Sequence, residues 1–293
     1  MKKRNITFTI ILLVLGCFSL SPSVQGAGDS RQLEKFTQID VPAAIFTIAL
    51  NINPQGEIVG FYLDSSGNLH GFLLSNGVFT TIDGPGASTL TIATDINPQG
   101  EIVGLYDDSS GNRHGFLLSK GRFTSIDVPG ATLTVASGIN SGGDIDGNYF
   151  DSSGNRHSYL LSKGAFKTID FPGPGTGFVA GGINPQGDIA GFYEDNSGNA
   201  HGLLLSKGKF TTIDVPGAMQ TFLSNINPQG DIVGSYIDSS GNNHGLVLSN
   251  GKFTTIDIPG AVFTEASGNN PRGDTVGDYV DSSGNDHGFL LSK

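Results

Sequence analysis

The sequence predicts an all-β fold, a six-bladed β-propeller of four-stranded antiparallel blades, and three observations carry that expectation. A segment of about 43 residues recurs six times, with the phenylalanine of the phrase F-T-x-I-D at Phe36, Phe79, Phe123, Phe166, Phe210 and Phe253. Such a period lies in the range of four-stranded propeller blades. The opening F-T-x-I-D has no H-G-F before it, while the last H-G-F-L-L-S has no F-T-x-I-D after it. Finally, the predicted strands are apolar on both faces, which requires each sheet to be sandwiched between others of its kind.

Residues 1–26 read as a secretory signal peptide rather than as part of the fold. Lys2, Lys3 and Arg4 form a basic start, Ile6 to Leu20 is an uncharged apolar run, and small residues precede Ala27. The run is shorter than the roughly 20 residues of a membrane-spanning helix, so no membrane span is expected. The alternative is a lipid anchor through Cys17, the single cysteine. Simple cleavage would leave no thiol and no disulfide. Residues 27–35 form a short N-terminal segment. Loss of Lys2, Lys3 and Arg4 would take the formal charge from −11 to −14. An acidic surface without a basic cluster argues against nucleic acid and against anionic membranes.

Within one repeat the strands follow from alternation and the turns from their residues. In the second copy, Leu90 to Asn97 is a strand, and Asn97-Pro98-Gln99-Gly100 is a turn in which proline presets φ. Glu101 to Tyr106 is the next strand, followed by the turn Asp108-Ser109-Ser110-Gly111-Asn112, whose aspartate can accept forward backbone N–H bonds. His114 to Ser119 is the third strand, Lys120-Gly121 a two-residue hairpin of the primed type, and Phe123 to Asp127 the fourth. The first strand has the smallest side chains (Ala93-Thr94, Ala136-Ser137-Gly138, Ala180-Gly181-Gly182 and Ala266-Ser267-Gly268), as the crowded inner position demands.

That frame makes 44–83, 88–127, 131–170, 175–214 and 218–257 complete blades. Residues 261–293 supply three strands, and Phe36–Asp40 supplies the missing outer one. Pairing the two removes two open edges at once. An open solenoid would instead need polar caps, and the terminal copies look like the middle ones. Residues 36–293 are thus expected to form one propeller domain, and a monomer is expected.

The phrase H-G-F-L-L-S-x-G-x-F-T-x-I-D, preceded by I-N-P-Q-G-D-I-V-G and D-S-S-G-N, resembles the bacterial extracellular repeats called HAF. The resemblance spans residues 36–293, with Gly or Ser in place of the middle Ala (Gly71, Gly115, Ser158, Gly202, Gly245 and Gly288). It implies an exported bacterial protein and brings no established activity.

Candidate chemistry divides into what repeats and what does not. His70, His114, His157, His201, His244 and His287 stand one per blade, too far apart to share an ion, and are expected to bond the adjacent D-S-S-G-N turns or the backbone. Those turns offer one carboxylate each (Asp64, Asp108, Asp151, Asp195, Asp238 and Asp281), against the six to eight oxygens calcium takes. The F-T-x-I-D aspartates (Asp40, Asp83, Asp127, Asp170, Asp214 and Asp257) are expected to cap the Pro-Gly links. No metal, cofactor or catalytic residue is assigned, and no nucleophile-elbow, zinc, P-loop or dinucleotide motif is present.

Departures from the repeat are Asp146 and Asn148, Ser158-Tyr159, Pro174 to Phe178, and Glu265 and Arg272. Asp146 and Glu265 could form an acid–base pair. The expected function is a non-catalytic, secreted binding propeller for an extracellular protein or a glycan. The alternative is an extracellular lyase or hydrolase with an acidic site at the channel mouth. The expected ligand-facing rim carries the Pro-Gly-Ala links and D-S-S-G-N turns, where Phe46, Leu90, Leu133, Gly177, Gln220 and Phe263 vary most.

Overall fold

A computed structural model describes residues 35–86 and 89–293. The expected signal peptide and lipid-anchor site fall outside these residues. The described chain forms six separate four-stranded antiparallel sheets arranged as the blades of a propeller. Blade 1 is Phe46–Ile52, Ile58–Leu63, Leu69–Ser75 and Val78–Ile82 in meander order, and blades 2 to 5 repeat it.

Blade 6 takes Ala261–Asn269, Thr275–Asp281 and Asp286–Ser292 from the end of the chain and Lys35–Ile39 from its beginning. Phe36 lies opposite Leu291, Gln38 opposite Phe289 and Ile39 opposite Gly288. Closure therefore follows the pairing expected from the split repeat.

The first strand of each blade is innermost. Each inner strand contacts those of both neighbouring blades, that of blade 6 meeting that of blade 1. Every inner strand also carries a one-residue register shift, between Ala49 and Asn51 in blade 1 and at the equivalent place elsewhere. A bulge of this kind bends the strand and re-aims one side chain. Here it directs Leu50, Thr94, Ser137, Gly181, Ser224 and Ser267 toward the axis.

The second strand must approach that bulge closely, which explains the glycine of I-V-G: a Cβ at Gly104 would strike the Ile92 carbonyl and the Phe116 ring. The outer hairpins turn through residue pairs with both φ values positive, such as Asn76 (50°) and Gly77 (78°). That is the primed geometry the twist of two strands favours.

Packing between blades supplies the core. Val59 of blade 1 packs with Ala93 and Phe116 of blade 2, and Val103 of blade 2 with Ala136 and Tyr159 of blade 3. At the seam, Ile39 packs with Ala49, Phe72 and Val276, so one short strand joins blade 6 to blade 1. Ile39 is 3% exposed, whereas Thr37 faces solvent. Ile39→Ala should lower unfolding free energy by about 2–4 kcal/mol in urea titrations, and Thr37→Ala by no more than about 0.5 kcal/mol. Equal effects would contradict the seam.

Candidate functional site

The repeated polar residues form six copies of one structural clamp. In blade 1, His70 Nδ1 lies 2.7 Å from Asp83 Oδ1 and its Nε2 3.3 Å from Asp64 Oδ2, while the ring stacks on Tyr62. The same aspartate–histidine–aspartate arrangement recurs from His114 to His287. The turn aspartate is also occupied: Asp108 Oδ1 accepts from the Ser110 and Asn112 backbones, and its Oδ2 from the Asn112 side chain. Among the described residues no three His, Cys, Asp or Glu side chains are placed to hold one metal ion.

The outer-strand aspartates bond the histidines, so the expected link cap is a different residue. Thr47 Oγ1 accepts from the Val41 N–H, and Thr91, Thr134, Thr221 and Thr264 do the equivalent in their blades. Side-chain reach decides this: the aspartate lies opposite the histidine strand, whereas the threonine already sits under the link.

Two cavities lie on the axis. A funnel of about 230 Å³ opens at the N-P-Q-G end, walled by Asn53, Asn97, Asn140, Asn184, Asn227 and the proline (Ser141 in blade 3) that follows each, with Asn51, Asp95, Asn225 and Asn269 deeper. Its walls are largely committed to holding the ring. Asn97 Oδ1 accepts from the backbones of Gln99 and Glu101 at 3.0 Å, and its Nδ2 donates to Glu101 Oε2 and to the Asn140 carbonyl of the next blade. The step recurs from Asn53 to Asn97, Asn140 to Asn184, Asn227 to Asn270 and, across the seam, Asn270 to Asn53. Beyond the funnel a chamber of about 30 Å³ is lined by Thr94, Ser137, Ser224 and Ser267 hydroxyls, with Leu50 and Gly181 between.

The structure does not bring Asp146 and Glu265 together. They belong to blades 3 and 6, on opposite sides of the ring. Asp146 occupies the core position filled by Val59 or Val103 elsewhere. It is fully buried beside Asp95, and neither of its oxygens makes a hydrogen bond of normal geometry. Burial first, and then the Asp95 charge, push its pKa well above the carboxylate range. Asp95 is better held, accepting from Asn51, Ile96 N–H and Ile139 N–H, yet burial still raises it to about 7.

Glu265 stands directly across from Asp278, a partner the sequence reading missed. Both are buried, and burial raises Glu265 to about 7 and Asp278 well above its ordinary value. Nearby, Leu50, Phe61 and Ile92 form one apolar cluster at the junction of blades 1 and 2. Their counterparts between blades 5 and 6 are Ser224, Ser235 and Glu265. Asn148 and Ser158 form a satisfied polar pair in blade 3, bonded to each other and to the carbonyls of Ala180 and Phe178. Arg272 pairs with Asp274 at the funnel end.

At the link end, the variable positions turn inward: Phe46 and Leu90 are buried, and Leu133, Gly177, Gln220 and Phe263 half-buried. The preceding residues reach solvent instead: Ile45, Thr89, Thr132, Thr176, Met219 and Val262.

No family profile and no curated protein matches the chain. Solved propellers do resemble it. They include TolB from Acinetobacter baumannii (TM-score 0.59, 13% identity, 81% of this chain and 64% of that one). AofleA from Arthrobotrys oligospora aligns at TM-score 0.57, 14% identity and 87% and 86% coverage of this chain and its own. The fungal lectin of Aleuria aurantia, described as six-bladed, aligns at 0.54 and 11%, over 84% of this chain and 89% of its own. The chain spans less than two thirds of the TolB chain. At these identities the likeness is one of fold.

The titrating groups give stability an acid-side maximum. In His157 and His244 the hydrogen bond to the outer aspartate is the largest influence and raises the pKa. In His70, His114 and His201 partial burial opposes the charge but the aspartates outweigh it. Their contribution is complete below 6.5 and fades as pH rises through the raised values. The buried Asp95, Asp146, Glu265 and Asp278, also raised, favour folding fully only below about 4 and lose that contribution on the way to 7 and above. The turn aspartates run the other way: Asn112 holds Asp108 down to about 2, so its contribution is present above 3.8 and lost as pH falls toward 2. Urea midpoints should therefore peak near about pH 4 and decline steadily to pH 8. A maximum at neutral pH would contradict these assignments. Asp146→Val, restoring the residue of sister blades, should raise unfolding free energy by about 1–3 kcal/mol, and a loss would reveal a partner for this carboxylate.

Proposed function

We propose that this chain is an exported, non-catalytic binding propeller of the HAF-repeat kind, and that it meets its ligand with the link face. One observation carries the reading: the mouth on that face breaks the six-fold repeat with solvent-exposed apolar side chains. Ile45, Met219 and Val262 are 44%, 55% and 58% exposed, where the other three blades carry threonine. Exposed apolar groups at one functional end of a soluble domain mark an interaction surface more often than a packing role. The repeated histidines and aspartates are engaged in holding the blades, and what remains specific to this chain lies in the departures.

Export rests on the character of residues 1–26. An extracellular protein and a glycan are the two ligand classes to test. Some structural neighbours are lectins, one of them described in complex with alpha-methyl-L-fucoside. For the lyase or hydrolase alternative, the two acidic pairs are Asp95 with Asp146 and Glu265 with Asp278, and all four side chains are buried.

Arrays of glycans and secreted proteins probed with the purified chain test the reading. Ile45→Asp/Met219→Asp should lose the hits of the wild-type chain, while Lys207→Glu on the opposite face keeps them. The reverse pattern would move the site to the funnel end and overturn the assignment of the face.

A further inference from the structure

The exposed apolar residues of the link face lie in a track on one half of it rather than all round the ring. Ile45, Met219 and Val262 occupy one repeat position in blades 1, 5 and 6, which are consecutive because blade 6 closes onto blade 1. Beside each stands a second, half-buried apolar residue. The Ile45 N–H donates to the Leu63 carbonyl at 2.8 Å and the Met219 N–H to that of Ile237 at 2.7 Å. Val262 is bulged out between the pairs Ala261–Asp281 and Phe263–Val280. In blades 2 and 4 the corresponding neighbours are Asp107 and Glu194, so the track ends there.

Charge surrounds this track. Each blade presents two aspartates at the link end, one from the D-S-S-G-N turn and one from the outer strand. The outer ones of blades 5, 6 and 1 (Asp257, Asp40 and Asp83) have side chains 44%, 40% and 44% exposed. Among the described residues the arginines of this face are Arg113 and Arg156, both remote from the track in blades 2 and 3, and Arg113 is paired with Asp107. Beside the track, His244, His287 and His70 each stand between the two aspartates of their blade. The lysines gather at the opposite end, in the outer hairpins at Lys120, Lys163, Lys207 and Lys252. With two aspartates to one histidine in each blade, the half of the link face that is apolar at its centre is net acidic at its rim.

We propose that this half-face docks a cationic, amphipathic polypeptide, with its apolar side chains on Ile45, Met219 and Val262 and its lysines and arginines against the surrounding aspartates. The proposal rests on the reading of the link face as ligand-facing and names the partner's chemistry. An apolar centre with a charged rim is the anatomy of a protein interface. The exposed apolar groups are aliphatic, whereas a sugar ring would find no exposed aromatic plane in the track and no tryptophan in the chain. Complementary charge would speed encounter and exclude acidic partners.

The test uses a fluorescein-labelled peptide of about 14 residues that presents leucines on one helical face and lysines on the other. Fluorescence anisotropy with the whole chain should show saturable one-to-one binding. Affinity should fall at least tenfold between about 50 and about 300 mM NaCl. Ile45→Ser/Met219→Ser/Val262→Ser, all at solvent-facing positions, should bind at least tenfold more weakly, as should a peptide with serine replacing leucine. Should the triple variant bind as well as the wild type, only diffuse negative charge is at work and the docking surface is overturned. Array hits that are neutral glycans, lost in link-face variants and indifferent to salt, would overturn the partner's chemistry while leaving the link-face reading intact. If link-face variants keep every hit, that reading itself fails.

Discussion

The asparagine that opens each N-P-Q-G turn sets the geometry on which the ring depends. Its carbonyl oxygen folds the turn by accepting two backbone N–H groups, and its amide nitrogen reaches the carbonyl of the same residue one blade on. Among the described residues five of the six steps are made, at 3.2 to 3.5 Å, including the one from Asn270 back to Asn53 across the seam. Each such bond is worth only about 0.5–1.5 kcal/mol net. The asparagines therefore set the spacing of the blades, while the apolar contacts between blades supply most of the stabilisation. An Ala in their place would leave both a turn and a blade-to-blade carbonyl without a partner at once.

With spacing fixed at one end, residues elsewhere in the repeat can change without opening the ring. The junction of blades 1 and 2 is filled by Leu50, Phe61 and Ile92, whereas the equivalent places between blades 5 and 6 hold Ser224, Ser235 and Glu265. The Ser235 hydroxyl is buried without a hydrogen-bond partner. Packing and polar satisfaction have both been given up there, while apolar residues of the same blades stand in solvent at Met219 and Val262. A sequence drifting under selection for stability alone would move polar groups out and apolar groups in. Blades 5 and 6 do the opposite.

Most of the fold was legible because it repeats. The period gave the blade, the small residues identified the inner strand, and the unmatched ends identified the closing strand, since a lone F-T-x-I-D has only one open edge to join. The candidate site was legible only in part, for two physical reasons. Asp146 and Glu265 were recognisable as departures, but a repeat specifies where a residue lies within its blade and says little about which blades face each other. The pair Glu265 and Asp278 was readable from hairpin register, because an N-P-Q-G turn fixes which residues oppose; comparing departures without that register hid it. The asparagine ring was hidden by its own regularity, since I-N-P-Q-G explains itself locally as a turn and its longer reach appears only when six blades stand side by side.

The seam also accounts for part of the asymmetry. Blade 6 is the one blade assembled from both ends of the described chain, and its inner strand, Ala261–Asn269, is the longest and has two register shifts where its sisters have one. The second shift lies at Val262. A bulge leaves its extra residue unpaired and turns it out of the sheet, so the exposure of Val262 is set by the backbone and does not depend on a side-chain rotamer. Ile45 begins the next blade on the other side of the seam. Two of the three apolar side chains at the mouth therefore flank the place where the ring is closed. A partner lying across them would bridge blades 6 and 1, and its binding would be coupled to the integrity of the closing strand Lys35–Ile39.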